Sequence, residues 1–190
     1  VSRMLAFSDF LLDRPNARSS HETVTPRSGG VAIFFGFLAG VALVAAFADW
    51  TGFARPALIF APLMAGAFLL GLADDRFNLS APLKLFAQIA LALFFVALFG
   101  PLQTAPLPLL GETSLGPWGA PLTILWIVAF MNAFNFMDGL NGIAAACGAL
   151  ALASLAAASA FGGGAFWAIM CGLGAVALLS FLPMNFPKSR

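Results

Sequence analysis

Long apolar segments alternate with short polar ones from about residue 31 to near the end of the chain. A helix needs about 20 mostly apolar residues to cross a bilayer. Six segments have this character: 31–48, 56–73, 83–100, 119–136, 143–161 and 165–183. They show none of the alternation between apolar and polar residues that is typical of membrane β-barrels. The pattern predicts an all-α fold, a polytopic transmembrane helix bundle of about six spans in a single membrane domain over residues 1–190.

Composition supports a membrane protein. Hydrophobic residues make up 61% of the 190 residues and charged residues 9%, whereas soluble domains carry about 25% charged residues. So few charges cannot cover a surface that faces water. The net charge of +1 and the lack of any basic run give no sign of nucleic-acid binding. Cys147 and Cys171 both lie in apolar segments and are interpreted as packing residues.

Basic residues fall mainly on one side of the predicted membrane. Eight of the nine Lys and Arg residues map to the side that holds residues 1–30, the 74–82 and 137–142 loops and the tail, and Arg55 maps to the other. Because loops rich in Lys and Arg stay inside the cell, we expect both chain ends in the cytoplasm, with 1–30 as a juxtamembrane segment. The opposite stretch, 101–117, is interpreted as an ordinary exposed loop.

An acidic pair closes the second predicted span. Asp74 and Asp75 stand at the membrane boundary and precede Arg76. Acids in or near a membrane are costly and often functional. Paired carboxylates suit Mg²⁺, which binds through one or two carboxylates together with substrate phosphates. The alternative is a solvated loop that stops the helix, with Arg76 as the partner of the acids.

Polar residues recur at every third position where the fourth predicted span ends. Asn132, Asn135, Asp138 and Asn141 are spaced in this way, and such positions lie close together on a helix. Unsatisfied polar groups are expensive in hydrocarbon, so these side chains need partners. The partners are either a bound ligand or neighbouring helices.

Two further features are candidates for binding phosphate. The segment before the first span contains several arginines, His21, and the glycine pair Gly29 and Gly30. Arginine forks and a glycine turn can hold phosphate oxygens, but a juxtamembrane positive cluster that touches anionic lipid is the alternative. Lys84 is either a phosphate contact or a lysine whose ammonium extends to the membrane surface.

Together these blocks resemble the bacterial polyprenyl-phosphate N-acetylhexosamine-1-phosphate transferases, the undecaprenyl-phosphate sugar-1-phosphate transferases of glycosyltransferase family 4. Three motifs occur in the family's order: D-x-P-N-x-R-S-x-H followed by P-R-x-G-G, then D-D followed by K-L-x-x-Q, then N-x-x-N-x-x-D-G-x-N-G. The branch that starts O-antigen and related polysaccharides is the most similar. The likeness runs from about residue 13 to the end of the chain.

The resemblance implies roles for individual residues. The family's catalytic acids correspond to Asp74, Asp75 and Asp138. Its metal site corresponds to Asp75, Asn135 and Asp138. Its substrate contacts correspond to Lys84, Asn135, Asn141, Arg27 and Gly30, with Lys84 beside the nucleotide diphosphate and Asn141 beside the uridine. Many bacterial members carry Asp at the position of Asn141, which puts the detail of that contact in question.

The resemblance also implies a reaction. N-acetylhexosamine 1-phosphate passes from a UDP-N-acetylhexosamine to undecaprenyl phosphate, UMP is released, and synthesis of O-antigen or another cell-envelope polysaccharide begins. The expected cofactor is Mg²⁺, with Mn²⁺ as an alternative, because two anionic substrates must be brought together. The expected location is the bacterial inner (plasma) membrane, with the active site on its cytoplasmic face. Homodimerisation is left open.

Two other functions remain as alternatives. An ion-coupled transporter would place carboxylates near mid-span and show internal repeats. A non-catalytic truncated paralogue would lack part of the site. The tail 181–190 resembles the lead-in to the family's F-M-G-D-x-G-S motif, whose Asp is a metal ligand there, and then ends. Because the chain also opens with Val1, we expect a fragment of a longer protein that is inactive, or nearly so, by itself.

Overall fold

The computed structural model describes residues 12–13, 25–26, 29–109, 111–137 and 142–185. Within them lie six α-helices: α1 (Gly29–Phe47), α2 (Arg55–Phe77), α3 (Ala81–Phe99), α4 (Gly119–Met137), α5 (Ile143–Phe161) and α6 (Ala165–Asn185). Each contributes to one of six segments long and apolar enough to cross a membrane. The predicted all-α fold with about six spans is confirmed, and the chain is a multi-pass membrane protein.

The outward faces of the helices suit a hydrocarbon surrounding. Large apolar side chains such as Phe47, Leu69, Phe86 and Trp126 are exposed. Water would make so much exposed apolar surface a liability, whereas lipid tails solvate it. Helices α1, α5 and α6 contain no Asp, Glu, Lys or Arg within their bounds. Their backbone polar groups are satisfied inside each helix, which is the condition for crossing a bilayer.

The chain divides into two compact units, and the first comprises Val1–Ala57 and Met137–Arg190. In its described part, α6 packs against α1 and α5. A Cβ added at Gly40 would stand 2.9 Å from Leu173, and one added at Gly174 would stand 2.9 Å from Leu152. The missing side chains therefore let leucines of one helix approach the backbone of the next, as is usual in membrane interfaces.

Short elements precede α1 and join it to α2. Strands β1 (Leu12–Asp13) and β2 (Thr25–Pro26) pair antiparallel, and a π-helical turn, Trp50–Ala54, leads into α2. Asp49 accepts hydrogen bonds from the Thr51 hydroxyl at 2.5 Å and the Gly52 N–H at 2.8 Å. These bonds, the Thr51 hydroxyl first, lower the pKa of Asp49 below its ordinary value. Asp49 thus caps this turn.

The second unit, Leu58–Phe136, holds most of α2 together with α3 and α4. A Cβ added at Gly66 on α2 would stand 2.7 Å from Leu91 on α3. The rings of Phe60 and Phe99 lie 5.7 Å apart, edge to face. Phe60 is near the start of α2 and Phe99 ends α3, so these two helices run antiparallel along their length.

The link between α3 and α4 contains a β-hairpin, whereas the sequence predicted an ordinary loop at 101–117. Strand β3 (Thr104–Leu107) pairs antiparallel with β4 (Gly111–Ser114), with Thr104 opposite Ser114. Leu109, in the turn, has a φ of 72°, and Gly111, at the start of β4, a φ of 68°. Four-residue strands that contain Pro and Gly carry little strand signal in sequence, which is why this pairing was missed.

The base of the hairpin is tied to the start of α4. The Leu102 N–H donates to Oγ1 of Thr123 at 2.9 Å, and Thr123 Oγ1 in turn donates to the Gly119 carbonyl oxygen at 2.7 Å. A Cβ added at Gly119 would collide with the carbonyl oxygen of Leu102. Glycine is therefore required at Gly119 by close backbone approach.

The prediction of a single membrane domain with a cytoplasmic segment at 1–30 stays a prediction. The structure differs from it in one detail, because Gly29 and Gly30, placed ahead of the first span, are the first residues of α1.

Candidate active site

The acidic pair, Asp74 and Asp75, lies inside α2 and not in the loop predicted after it. The sequence predicted that this span ends at residue 73, but the helix continues to Phe77. It stops at Asn78, which adopts a positive φ of 46°, a conformation that Asn tolerates better than most residues. The Asn78 N–H donates to the Asp74 carbonyl oxygen at 2.8 Å. Asp74 is half-buried and Asp75 is exposed.

Lys84 contacts Asp74 of the acidic pair directly. It lies in the first turn of α3, and its Nζ is 2.5 Å from Oδ2 of Asp74. Only residues 78–80 separate α2 from α3, so the two helix ends are adjacent. The Lys84 and Asp74 side chains are 22% and 25% exposed, which screens their interaction less than at an open surface. A carboxylate partner is neither of the two alternatives that the sequence offers for Lys84.

The charges of this ion pair oppose the helix dipoles. A carboxylate in the last turn of α2 faces the negative end of that helix, and an ammonium in the first turn of α3 faces a positive end. Helices arranged for stability carry these charges the other way round. Arg76, in the last turn of α2, and the contact between Lys84 and Asp74 compensate in part. Local helix stability therefore does not account for the placement of these charges.

The asparagine series contacts α3 through Gln88. Nδ2 of Asn132 donates to Oε1 of Gln88 at 2.7 Å and to the Val128 carbonyl oxygen at 2.8 Å. Gln88 is 3% exposed and is the one buried polar side chain in the part of the chain that the structure describes. The sequence left two kinds of partner open for these asparagines, a bound ligand or a neighbouring helix. Asn132 has a neighbouring helix as its partner. Asn135, nearly one turn further along α4, is exposed.

The sequence alone gives no role to Gln88. It appeared only as the last letter of the K-L-x-x-Q motif. The available signal was a lone amide in an otherwise apolar span, which needs a partner in hydrocarbon. The sequence could not say which partner, because the contact joins residues 44 positions apart.

The structure does not test the remaining predicted site residues. Arg27, Asp138 and Asn141 lie outside the described residues, so their roles, and the expected convergence of Asp138 with the acidic pair, stay predictions. Gly30 is exposed in the first turn of α1, in the first unit, and a Cβ added there would meet nothing within 4 Å. It is part of a helix start instead of the predicted loop turn.

The carboxylate oxygens of Asp74 and Asp75 suit a hard cation. Both side chains offer carboxylate oxygens, the ligands that Mg²⁺ prefers. Among the residues that the structure describes, no group of three or more His, Cys, Asp and Glu side chains forms a metal site. Mg²⁺ often takes one or two carboxylates and completes its shell with substrate phosphates and water. The acidic pair fits that mode of binding in the kind of ligand it provides.

Comparison with known proteins identifies the family. The family model described as glycosyl transferase family 4 matches residues 57–190. The chain belongs to glycosyl transferase family 4. This confirms the resemblance drawn from the motifs. The matched part of this family 4 chain begins within α2 and contains Asp74, Asp75, Lys84 and Gln88.

Three relatives of this family 4 chain illustrate the similarity. A Bacillus subtilis (strain 168) protein named "Probable undecaprenyl-phosphate N-acetylglucosaminyl 1-phosphate transferase" is 32% identical over 194 residues, covering 100% of this chain and 52% of the relative. A Mycobacterium tuberculosis (strain H37Rv) decaprenyl-phosphate N-acetylglucosaminephosphotransferase is 34% identical, covering 99% and 50%. An Escherichia coli (strain K12) undecaprenyl-phosphate alpha-N-acetylglucosaminyl 1-phosphate transferase is 27% identical, covering 97% and 49%. The chain spans about half the length of the curated relatives it matches.

Proposed function

We propose that this chain is part of a membrane enzyme that transfers N-acetylhexosamine 1-phosphate from a UDP-sugar to undecaprenyl phosphate. An oxygen of the lipid phosphate attacks the β-phosphorus of the donor. The bond between that phosphorus and the bridging oxygen breaks, and UMP leaves. The family 4 match and the names of the relatives, which transfer to undecaprenyl or decaprenyl phosphate, support this reaction.

The observation that carries the proposal is the Asp74–Lys84 ion pair beside exposed Asp75, at the adjoining ends of α2 and α3. Asp74 holds the Lys84 ammonium in place, where it can contact the donor diphosphate. Asp75 offers carboxylate oxygens to a divalent cation. Mg²⁺, when bound, supplies the positive charge that offsets repulsion between the two anionic substrates. Because these charges oppose the helix dipoles, a purely structural role explains them poorly.

The position of the site suits the two substrates. The acids lie in the last turn of α2, at one end of a membrane-length helix. A lipid phosphate lies at the membrane surface, and a UDP-sugar reaches that surface from water. The same position favours an enzyme over an ion-coupled transporter, whose acids belong near mid-span. We place the site on the cytoplasmic face of a bacterial inner membrane, at the first step of a cell-envelope polysaccharide.

The direct test is UMP release by the complete gene product purified in detergent. The protein is mixed with UDP-N-acetylglucosamine or UDP-N-acetylgalactosamine, undecaprenyl phosphate and Mg²⁺. We expect UMP only when both substrates are present, loss of release with EDTA, and recovery when Mg²⁺ or Mn²⁺ is restored in excess. Release that is independent of the lipid, or no release with either donor, would contradict the proposal. The 190-residue chain, assayed in parallel, is expected to release little or no UMP.

A further inference from the structure

We propose that Gln88 is a positioning residue whose hydrogen bond to Asn132 sets the register of α4 against α3. That register decides where Asn135 stands relative to the acidic pair. The inference rests on the proposed function for its link to catalysis, whereas the register itself can be measured without any activity.

The first ground is the face of α3 that carries Gln88. Lys84, Gln88 and Ala92 are spaced at intervals of four, so they lie along one side of the helix. Lys84 is half-buried, Gln88 is 3% exposed and Ala92 is 0% exposed. Lys84 contacts Asp74 of α2, and one turn later Gln88 contacts Asn132 of α4. A single face of α3 therefore holds polar groups of both neighbouring helices.

The second ground is the directional nature of the contact. Nδ2 of Asn132 donates to Gln88 and to its own helix at Val128, so two bonds orient the amide. Apolar contacts lack this directionality. A slip of one residue moves a helix about 1.5 Å along its axis and turns the contact face by about 100°, which would break the amide bond. Gln88 is buried, whereas Asn132 is exposed and the bond between them is part-buried. Polar contacts between helices can fix register in this way, with little gain in stability.

The third ground is what lies beyond Asn132. Asn132 lies four residues after Val128, and Asn135 lies three residues after Asn132. These three residues therefore share a face of α4. Asn135 is one of the residues that we expect beside the metal and the diphosphate. A change of register would displace it from the acidic pair. Misplacement of about 1 Å can lower a rate by about 10²-fold.

The test compares two substitutions of similar size in the complete gene product. Gln88→Met removes the acceptor oxygen, whereas Gln88→Glu keeps one in either protonation state. A positioning role predicts that Gln88→Met lowers kcat for UMP release by about 10- to 100-fold, with little change in KM for the UDP-sugar, and that Gln88→Glu retains most of kcat. A packing role predicts the reverse order, because Met suits an apolar interface better than Glu. Gln103→Met, at an exposed position in the link between α3 and β3, is the matched control and should leave kcat unchanged.

Register is measured separately by electron paramagnetic resonance. Spin labels are placed at Leu85→Cys and Phe136→Cys, which replace exposed side chains on α3 and α4, after Cys147 and Cys171 are changed to Ala. We expect a narrow distance distribution for the parent and Gln88→Glu, and a broadened or shifted one for Gln88→Met. If Gln88→Met does not fold, the double variant Gln88→Leu/Asn132→Leu, which leaves no unpaired amide, should fold and show the same broadening.

The outcomes separate the two proposals. A parent-like distribution in the folded variants that lack the amide bond overturns the register proposal, as does higher activity in Gln88→Met than in Gln88→Glu. Broadening with the predicted loss of kcat supports it. If the parent itself releases no UMP, the proposed function fails, and the resonance distances alone then decide whether Gln88 sets the register.

Discussion

The two ends of the second unit are held together in different ways, although the same three helices form both. At one end, α2 meets α3 through a charged pair, Asp74 and Lys84. At the other, the hairpin meets α4 through neutral hydrogen bonds at Thr123 and a close backbone approach at Gly119. The charges of the first contact stand at helix ends where the helix dipoles disfavour them. The second kind satisfies backbone groups and closes a turn.

The two ends differ in how far local stability explains the placement of their polar groups. The hairpin end places its groups as helix and turn stability require, since a hydroxyl satisfies a free backbone N–H and glycine stands where only glycine fits. The charged end places acids and a lysine where local stability disfavours them. Local stability alone therefore explains the hairpin end, whereas the charged end needs a further reason. We propose that this reason is the binding of anionic substrates.

The comparison can be tested first by asking which end faces the cytoplasm. In a variant without Cys147 and Cys171, Ser80→Cys reports the charged end and Ser114→Cys the hairpin end. Because eight of the nine basic residues map to the side of Ser80, an impermeant thiol reagent on intact cells should label Ser114→Cys and spare Ser80→Cys until the membrane is opened. Labelling of Ser80→Cys alone in intact cells would reverse the orientation.

A second test neutralises one carboxylate at each end. In the complete gene product, Asp75→Asn should lower UMP release by about 10²-fold or more, because a group that binds metal or activates the acceptor is lost without loss of packing volume. Glu112→Gln, on the exposed hairpin, should have no effect. Thermal unfolding in detergent checks that both variants remain folded. Parent-like turnover by Asp75→Asn would mean that the acidic pair is structural.

A third test concerns glycine at the two ends. Gly119→Ala forces a Cβ against the Leu102 carbonyl oxygen, a backbone atom that cannot rotate away, so the free energy of unfolding should fall by about 1–3 kcal/mol. Gly71→Ala, in α2 near the charged end, meets nothing within 4 Å and should be neutral or stabilising by up to about 1 kcal/mol, since Ala favours the helix. Equal effects of the two substitutions in chemical unfolding would argue against a tight joint at Gly119.

The smallest expected effect is at the hydroxyl that ties the hairpin to α4. Thr123→Val keeps the shape of the side chain but removes the acceptor for the Leu102 N–H. The loss should be about 0.5–1.5 kcal/mol of unfolding free energy, with UMP release unchanged. Thr123→Ser, which keeps the hydroxyl, is the control and should lose less. A clear loss of activity in Thr123→Val at full folding would show that the hairpin end also takes part in the reaction.

The helices were predictable because the forces that make them are local. A membrane-length run of Ala, Leu, Phe and Gly must satisfy its own backbone hydrogen bonds, and only a helix does so within a single segment. The motif residues Asp74, Asp75 and Lys84 were likewise singled out because charges are rare in this chain, at 9% of its residues. The family followed from those motifs in order.

What the sequence determined by itself is therefore the set of six helices, the polar residues at their ends and the family. The tertiary structure decided which of those polar residues meet. Lys84 binds Asp74 where α2 continues to Phe77, beyond the end that hydropathy suggested, and stops at Asn78 just before α3. Gln88 meets Asn132 only in the folded chain, where a hydrogen bond joins residues 44 positions apart. Such contacts depend on helix register and length, which are set by packing between segments and leave no local trace in the sequence.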